Sequence, residues 1–247
     1  MKPLKHSLGF ALAIASLTTV ALNAADSPKD AVKAAAKALG EKPNYSYNST
    51  PKSEGGQGSR FIGPSEGKVE KGGFAYVKAT VGENTFETVR KGEKSVSKGQ
   101  DGTWRTAEEL REAFAKGGGA KKGGGQGGGR GFFGAGRTLR LPAEQAADLV
   151  DKSAELKEAD GAFAGDLTTE GAKELMSFGG QGLQISGAKA SVKFWIKDGV
   201  LSKYEYHTQG SISFNGNDID INRTTTIEIK DVGTTTVKVP EEAKAKL

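Results

Sequence analysis

The chain has 247 residues, with 35 Lys and Arg against 30 Asp and Glu, 36 Gly, 7 Pro, 2 His and no Cys. That length holds one or two ordinary domains with a sizeable core. Without cysteine there is no disulfide framework, thiolate zinc site, catalytic thiol or lipidated N-terminal cysteine. One of the two histidines lies near the N-terminus, so His-rich metal sites are out and a Ser-His-Asp triad has a single available base.

Met1–Ala24 places Lys2 and Lys5 ahead of an uncharged run from Leu8 to Leu22 and closes on Asn23, Ala24 and Ala25. This is the layout of a cleaved secretory signal. The run is 15 residues long, short of the roughly 20 that a membrane helix needs. Nothing later approaches a membrane span, so residues 25–247 are expected as one soluble domain outside the cytoplasm, periplasmic or secreted. Cleavage removes two lysines and no acid, lowering the formal charge from +5 to +3. That is too little to call for a nucleic acid partner.

Ser27-Pro28 starts a helix, with Val32, Ala35, Ala36 and Leu39 on one stripe and Gly40 as its stop. From Tyr45 to Arg105 the pattern changes to short strands, such as Phe74–Val81 and Thr85–Arg90, parted by turns such as Gly72-Gly73 and Glu83-Asn84. Thr106-Ala107-Glu108-Glu109 is a capping box that opens a helix with Leu110 and Phe114 on one face. Twelve of the 20 residues in 117–136 are Gly, and the charges there and at Arg137 are all basic. This composition cannot repay its ordering entropy and reads as a mobile loop. Pro142 then opens a helix with Ala146, Leu149 and Val150 inward. Residues 155–167 read as one strand, and a further helix after Thr168 buries Ala172, Leu175 and Met176.

The sharpest signal is Asn215-Gly216, a two-residue hairpin turn. It pairs Ile212 with Ile219, Tyr206 with Thr225 and Tyr204 with Ile227, with Val200, Phe214, Ile221 and Ile229 on the same face. The opposite face pairs Ser211 with Asp220, His207 with Thr224 and Lys203 with Glu228, and is almost wholly polar, so the register sorts itself. For the preceding hairpin a three-residue loop, Lys197-Asp198-Gly199, sets Ile196 beside Val200 and Val192 beside Tyr204, leaving Trp195 and Leu201 paired outside. Arms of about 14 residues reach on the order of 45 Å. A sheet that long must curl. The fold class is therefore α+β: a long curved antiparallel sheet, an incomplete barrel, with three or four short helices covering its concave apolar face.

Strings associated with chemistry fail in context. Gly63-Pro64-Ser65-Glu66-Gly67 matches a nucleophile elbow, yet a strand rather than a helix follows it. Gly129-Arg130-Gly131-Phe132-Phe133-Gly134 matches a dinucleotide string, but it follows a glycine run and opens no helix. Asp218 and Asp220 read as alternating acids on a solvated strand, and His207 as a surface strand residue. No catalytic constellation, metal site or cofactor site is read, so the chain is expected not to be an enzyme.

The order of pieces carries a resemblance. An N-terminal helix precedes a meander of the type Gly67-Lys68-Val69-Glu70-Lys71-Gly72-Gly73-Phe74-Ala75-Tyr76-Val77-Lys78. Asp101-Gly102-Thr103-Trp104-Arg105-Thr106, mid-chain helices and Val192-Lys193-Phe194-Trp195-Ile196-Lys197-Asp198-Gly199 with its long hairpin follow. This resembles the LolA/LppX-type superfamily of periplasmic lipoprotein and lipid carriers. The resemblance implies an incomplete barrel with helices plugging its mouth and an apolar cavity for acyl chains. The glycine-rich insertion and the missing lipidated cysteine depart from the pattern, and the polar latch of the lipoprotein carriers has no assigned residue here.

The expected function is a non-catalytic binding protein that shelters the acyl part of a lipid or lipoprotein. Its candidate cavity lining is Phe194, Tyr204, Tyr206, Ile227 and Ile229 from the sheet, with Leu149, Leu175 and Met176 from the helices. The competing expectation is a cell-envelope structural or interaction protein, in which Leu110, Phe114, Leu149, Leu175 and Met176 form a dry core and a protein partner meets the polar face or the glycine-rich loop. Both stay open on the residues alone.

Overall fold

A computed structural model describes residues 27–54, 63–99, 101–116, 139–177, 184–214 and 217–247. The expected signal segment at 1–24 and the glycine-rich stretch at 117–136 lie outside the described residues. The elements run α1 (Pro28–Gly40), β1 (Asn44–Ser53), β2 (Ser65–Glu70), β3 (Phe74–Val81), β4 (Asn84–Lys91), β5 (Lys94–Lys98), β6 (Trp104–Thr106) and α2 (Ala107–Lys116). Then come α3 (Pro142–Lys152), β7 (Lys157–Ala159), β8 (Ala162–Asp166), α4 (Thr169–Ser177), β9 (Gln184–Lys197), β10 (Val200–Phe214), β11 (Asn217–Lys230) and α5 (Glu241–Lys244). All eleven strands form one curved antiparallel sheet in the order β6-β5-β4-β3-β2-β1-β11-β10-β9-β8-β7, and it does not close into a barrel.

The helices begin where local chemistry starts them. In α1 the Ser27 hydroxyl accepts from Asp30 N–H at 3.3 Å while the Asp30 carboxylate accepts from Ser27 N–H at 3.2 Å, a reciprocal cap. In α2 the Thr106 hydroxyl and Glu109 carboxylate exchange the same pair of bonds. The apolar stripe of α1 is half alanine, which lets it lie close to both α3 and the sheet. Val32, Ala35, Ala36 and Leu39 of α1, with Ala146, Leu149 and Val150 of α3, are almost wholly buried against Tyr45, Tyr47, Val192, Phe194, Leu201, Tyr204 and Ile227. Gly67 is required beneath this layer, because a Cβ there would stand 2.1 Å from the Tyr47 ring.

The β10–β11 register is the one the Asn215-Gly216 turn predicts: Tyr204 faces Ile227, Tyr206 faces Thr225 and Ile212 faces Ile219. The β9–β10 connection differs from expectation. Lys197 pairs with Val200, so the loop has two residues, Asp198 and Gly199, both at positive φ. The extra residue sits inside β10 as a bulge between Leu201 and Lys203. The bulge turns Leu201 inward, where it is fully buried, and sets Phe194 beside Tyr204, ring centroids 6.2 Å apart. Trp195 stays outside and pairs with Lys203, whose ammonium lies 4.2 Å from the ring centroid, rather than with Leu201. The expected single strand at 155–167 is a hairpin, β7 and β8, turned at Asp160-Gly161, both at positive φ.

A feature with no counterpart in the sequence reading covers the convex face. Beyond β11 the chain crosses β1, where Gly233 and Thr235 donate backbone bonds to the main chain and side chain of Asn44. It then lays Ala243 of α5, Val239 and Leu247 over Val89, Val96 and Trp104, a second small core on the opposite side of the sheet. Lys246 anchors this tail to Glu109 of α2 at 2.6 Å.

Candidate functional site on the concave sheet face

Cross-strand partners divide the concave face into rows. The first runs through Ile229, Tyr47, Gly67 and Val77, and the next through Tyr204, Ile227, Ser49 and Ser65. The third contains Val192, Tyr206, Thr225 and Pro51, and the fourth Ala190, Thr208, Arg223 and Ser53. Past these lies a separate apolar cluster of Met176, Ile212 and Ile221.

The candidate lining residues fall into two groups. Phe194, Tyr204, Ile227 and Leu149 are buried beneath α1 and α3 in the main core, and Met176 is fully buried in the distal cluster. Tyr206, Ile229 and Leu175 are half-buried and pack against the edge of the main core. All five sheet candidates do share the concave face, as the period of two and the hairpin register require.

Burial governs the tyrosines. The Tyr204 hydroxyl donates to Gln145 Oε1 of α3 at 2.7 Å, which satisfies the one polar atom in an apolar setting. Burial drives the Tyr204, Tyr45 and Tyr47 hydroxyls well above the ordinary tyrosine range, and at Tyr45 a hydrogen bond with the Ala143 backbone offsets only part of that rise. They are neutral packing groups at physiological pH. Nearby, Arg90 of β4 reaches across to α3, donating to both Glu144 carboxylate oxygens at 2.6 and 2.8 Å and to the Leu139 carbonyl at 2.7 Å. Burial tends to raise the Glu144 carboxyl, but the Arg90 bonds and the Leu141 N–H outweigh it and hold it below its usual value. The Arg90 fork thus ties the start of α3 to the sheet.

Sequence reasoning missed Arg223. The same 431 − i register that pairs Tyr206 with Thr225 also pairs Arg223 with Thr208, so an arginine falls on the apolar side. It is 4 % exposed, with Thr208 at 1 % and Thr225 at 3 %. The Thr208 hydroxyl lies 3.4 Å from the Arg223 carbonyl, to which it donates. A buried polar belt therefore separates the two apolar clusters. One strand away, beyond the end of β8, a cleft of about 300 Å³ lies at the edge of β9, lined by Leu167, Ala188 and Ala190 together with the polar residues Asp166, Lys189 and His207.

The strings set aside by sequence remain apart in space. Ser65 opens β2 on the concave face, whereas His207 lies on the convex face of β10, its Nε2 2.7 Å from Asn222 Oδ1. Among the described residues no group of three or more His, Cys, Asp or Glu could hold a metal ion. No described helix is long and apolar enough to cross a membrane.

No family model matches the chain, and no curated protein matches it. Among solved structures, the lipoprotein LppX of Mycobacterium tuberculosis has 10 % identity and a TM-score of 0.43 over 85 % of this chain and 97 % of its own. LprF of Mycobacterium bovis has 10 % identity and a TM-score of 0.42 over 87 % and 97 %. A LolA superfamily protein of Nitrosomonas europaea has 7 % identity and a TM-score of 0.31 over 88 % and 97 %. The chain is thus weakly similar, at low identity and high coverage, to structures of the LolA/LppX type.

Proposed function

We propose that the protein is an exported, non-catalytic carrier that shelters the acyl part of a lipid or lipoprotein against the concave face of its sheet. The observation that supports this reading most is the incomplete cover of that face. The α1 and α3 helices seal one half, while Tyr206 and Leu175 stay half-buried at its border and Ile229 stays half-buried on the other side of Ile227. Neighbouring rows are floored by the small half-buried residues Ser49, Pro51 and Ser65. Small floors beneath aromatic and aliphatic walls suit a chain of methylenes, each worth about 0.8 kcal/mol on burial. Of the candidate lining, Tyr206, Leu175 and Ile229 make the direct contacts, and the fully buried residues hold the wall in shape.

Titration with a fluorescent fatty acid tests the reading. Saturable uptake by the full chain is expected, weakened roughly tenfold or more by Leu175→Asp or Tyr206→Asp, which place a charge against the acyl chain. A chain that takes up no fatty acid, or whose uptake survives both changes, contradicts it. The rival reading, an envelope interaction protein with a solid core, would instead show partner capture that is lost on deleting 117–136.

A further inference from the structure

The inward side chains of β1, β9, β10 and β11 are almost entirely apolar, aromatic or small. Along β10 they are Tyr204, Tyr206, Thr208, Gly210 and Ile212, and along β11 Ile221, Arg223, Thr225, Ile227 and Ile229. Among the described inward positions of these four strands, Arg223 carries the charge, and it does so at 4 % exposure. Desolvating a guanidinium is expensive, and it brings no packing advantage that leucine or methionine would not give. Its place is also specific. It lies two residues along β11 from Thr225, about 7 Å at strand rise, and Thr225 is the cross-strand partner of the half-buried Tyr206, which with Leu175 contributes apolar surface at the border of the main core.

Arg223 engages neighbours within the chain, and a guanidinium presents five N–H donors in a plane, so it can bond a chain acceptor and an anion together. The hydroxyl-bearing residues beside it are of the kind that complete an oxyanion site: Thr208 and Ser53 are its cross-strand partners, and Thr225 is two residues along the same strand. The edge cleft opens at Ala190, itself the partner of Thr208, roughly 10 Å across two strand spacings from Arg223. We infer that Arg223 is the headgroup anchor of the carrier site. In this assignment the ligand is an anionic amphiphile whose phosphate or carboxylate binds the buried guanidinium while its chain lies against the half-buried Tyr206 and Leu175 at the border of the main core. The inference rests on the carrier reading and narrows its ligand class.

The experiment compares dodecyl phosphate, dodecanol and inorganic phosphate for binding to the full chain by calorimetry, in wild type, Arg223→Gln and Arg223→Lys. Dodecyl phosphate should bind at least about tenfold more tightly than dodecanol, the scale of a charge-assisted hydrogen-bonded contact. Arg223→Gln should bring the two to the same affinity, and Arg223→Lys should keep part of the preference. Where the Gln variant does not fold, Arg223→Met, which fills the same space without the charge, takes its place. Equal binding of phosphate ester and alcohol by the wild type overturns the headgroup assignment and leaves the carrier reading standing. A preference that persists in the Gln or Met variant also overturns it. Inorganic phosphate binding as tightly as the ester reduces the site to a plain anion site. If neither amphiphile binds, the carrier reading itself fails and takes this one with it.

Discussion

The concave face has two halves built from the same strands, β1, β9, β10 and β11. Under α1 and α3 the rows are filled by Tyr47, Phe194, Leu201 and Tyr204, with one internal hydrogen bond, Tyr204 to Gln145, for the hydroxyl of the largest side chain. Two to four residues beyond the Tyr204–Ile227 pair, the same strands bury Thr208, Thr225 and Arg223 instead. The first half is what a folding core demands. The second buries polarity that a core does not require, and the proposed site is placed at the border between them for that reason.

The largest expected effect is in the sealed half. Phe194→Ala removes a fully buried ring stacked on Tyr204 and should lower stability by about 3–5 kcal/mol in denaturant unfolding. Leu149→Ala should cost about 2–5 kcal/mol, whereas Leu175→Ala, at the half-buried border, should cost less than half as much. Similar losses at both leucines would erase the distinction between the halves.

Alkaline pH probes the sealed half from another side. The Tyr45, Tyr47 and Tyr204 hydroxyls are raised above 10.0 by burial. A raised folded value means that stability is complete below the ordinary tyrosine value and falls as pH rises beyond it. Tyrosinate absorbance for these residues should therefore appear together with loss of near-UV dichroism. Early, separate ionisation of all five tyrosines would mean that α1 and α3 do not seal this half.

Gly67→Ala should cost about 1–3 kcal/mol by pushing the Tyr47 ring off the floor. The smallest effect is at the seam, where Arg90→Gln should cost about 1 kcal/mol, a figure already discounted because Glu144 is partly exposed. Its signature is in pH. Glu144 titrates below its ordinary 4.5, so the contribution of the pair is complete above that pH and fades as pH falls through the depressed value. The Arg90→Gln variant should lack that acid-side slope.

How much of this was legible in the residues depends on whether a local rule fixed the geometry. Asn215-Gly216 dictates a two-residue turn, and every pair from Lys203–Glu228 to Phe214–Asn217 follows from it. At Asp198-Gly199 the inward parity of Val192 and Phe194 was readable, but parity says only that one extra residue is needed. The chain places it at Ser202 inside the strand, which buries Leu201 in place of leaving it outside. Arg223 follows from the same register, but a single charge in an otherwise apolar and hydroxyl-bearing face leaves the alternation unchanged and so gives no local signal. The convex core was encoded in the outward parity of Val89, Val96 and Trp104, yet its cover comes from a short terminal helix with too few residues for a periodic signal. The division of the candidate lining into sealed and half-buried groups depends on where α1, α3 and α4 come to rest, and long-range packing of that kind has no local sequence signature.

The central claim is that the half-buried border of the concave face holds an acyl chain. Native mass spectrometry of the full chain, purified gently and compared with its solvent-extracted form, tests it most directly. A bound population heavier by the mass of a lipid or acylated molecule is expected, removed by extraction and restored by added anionic amphiphile. A single ligand-free mass that no amphiphile shifts would contradict it.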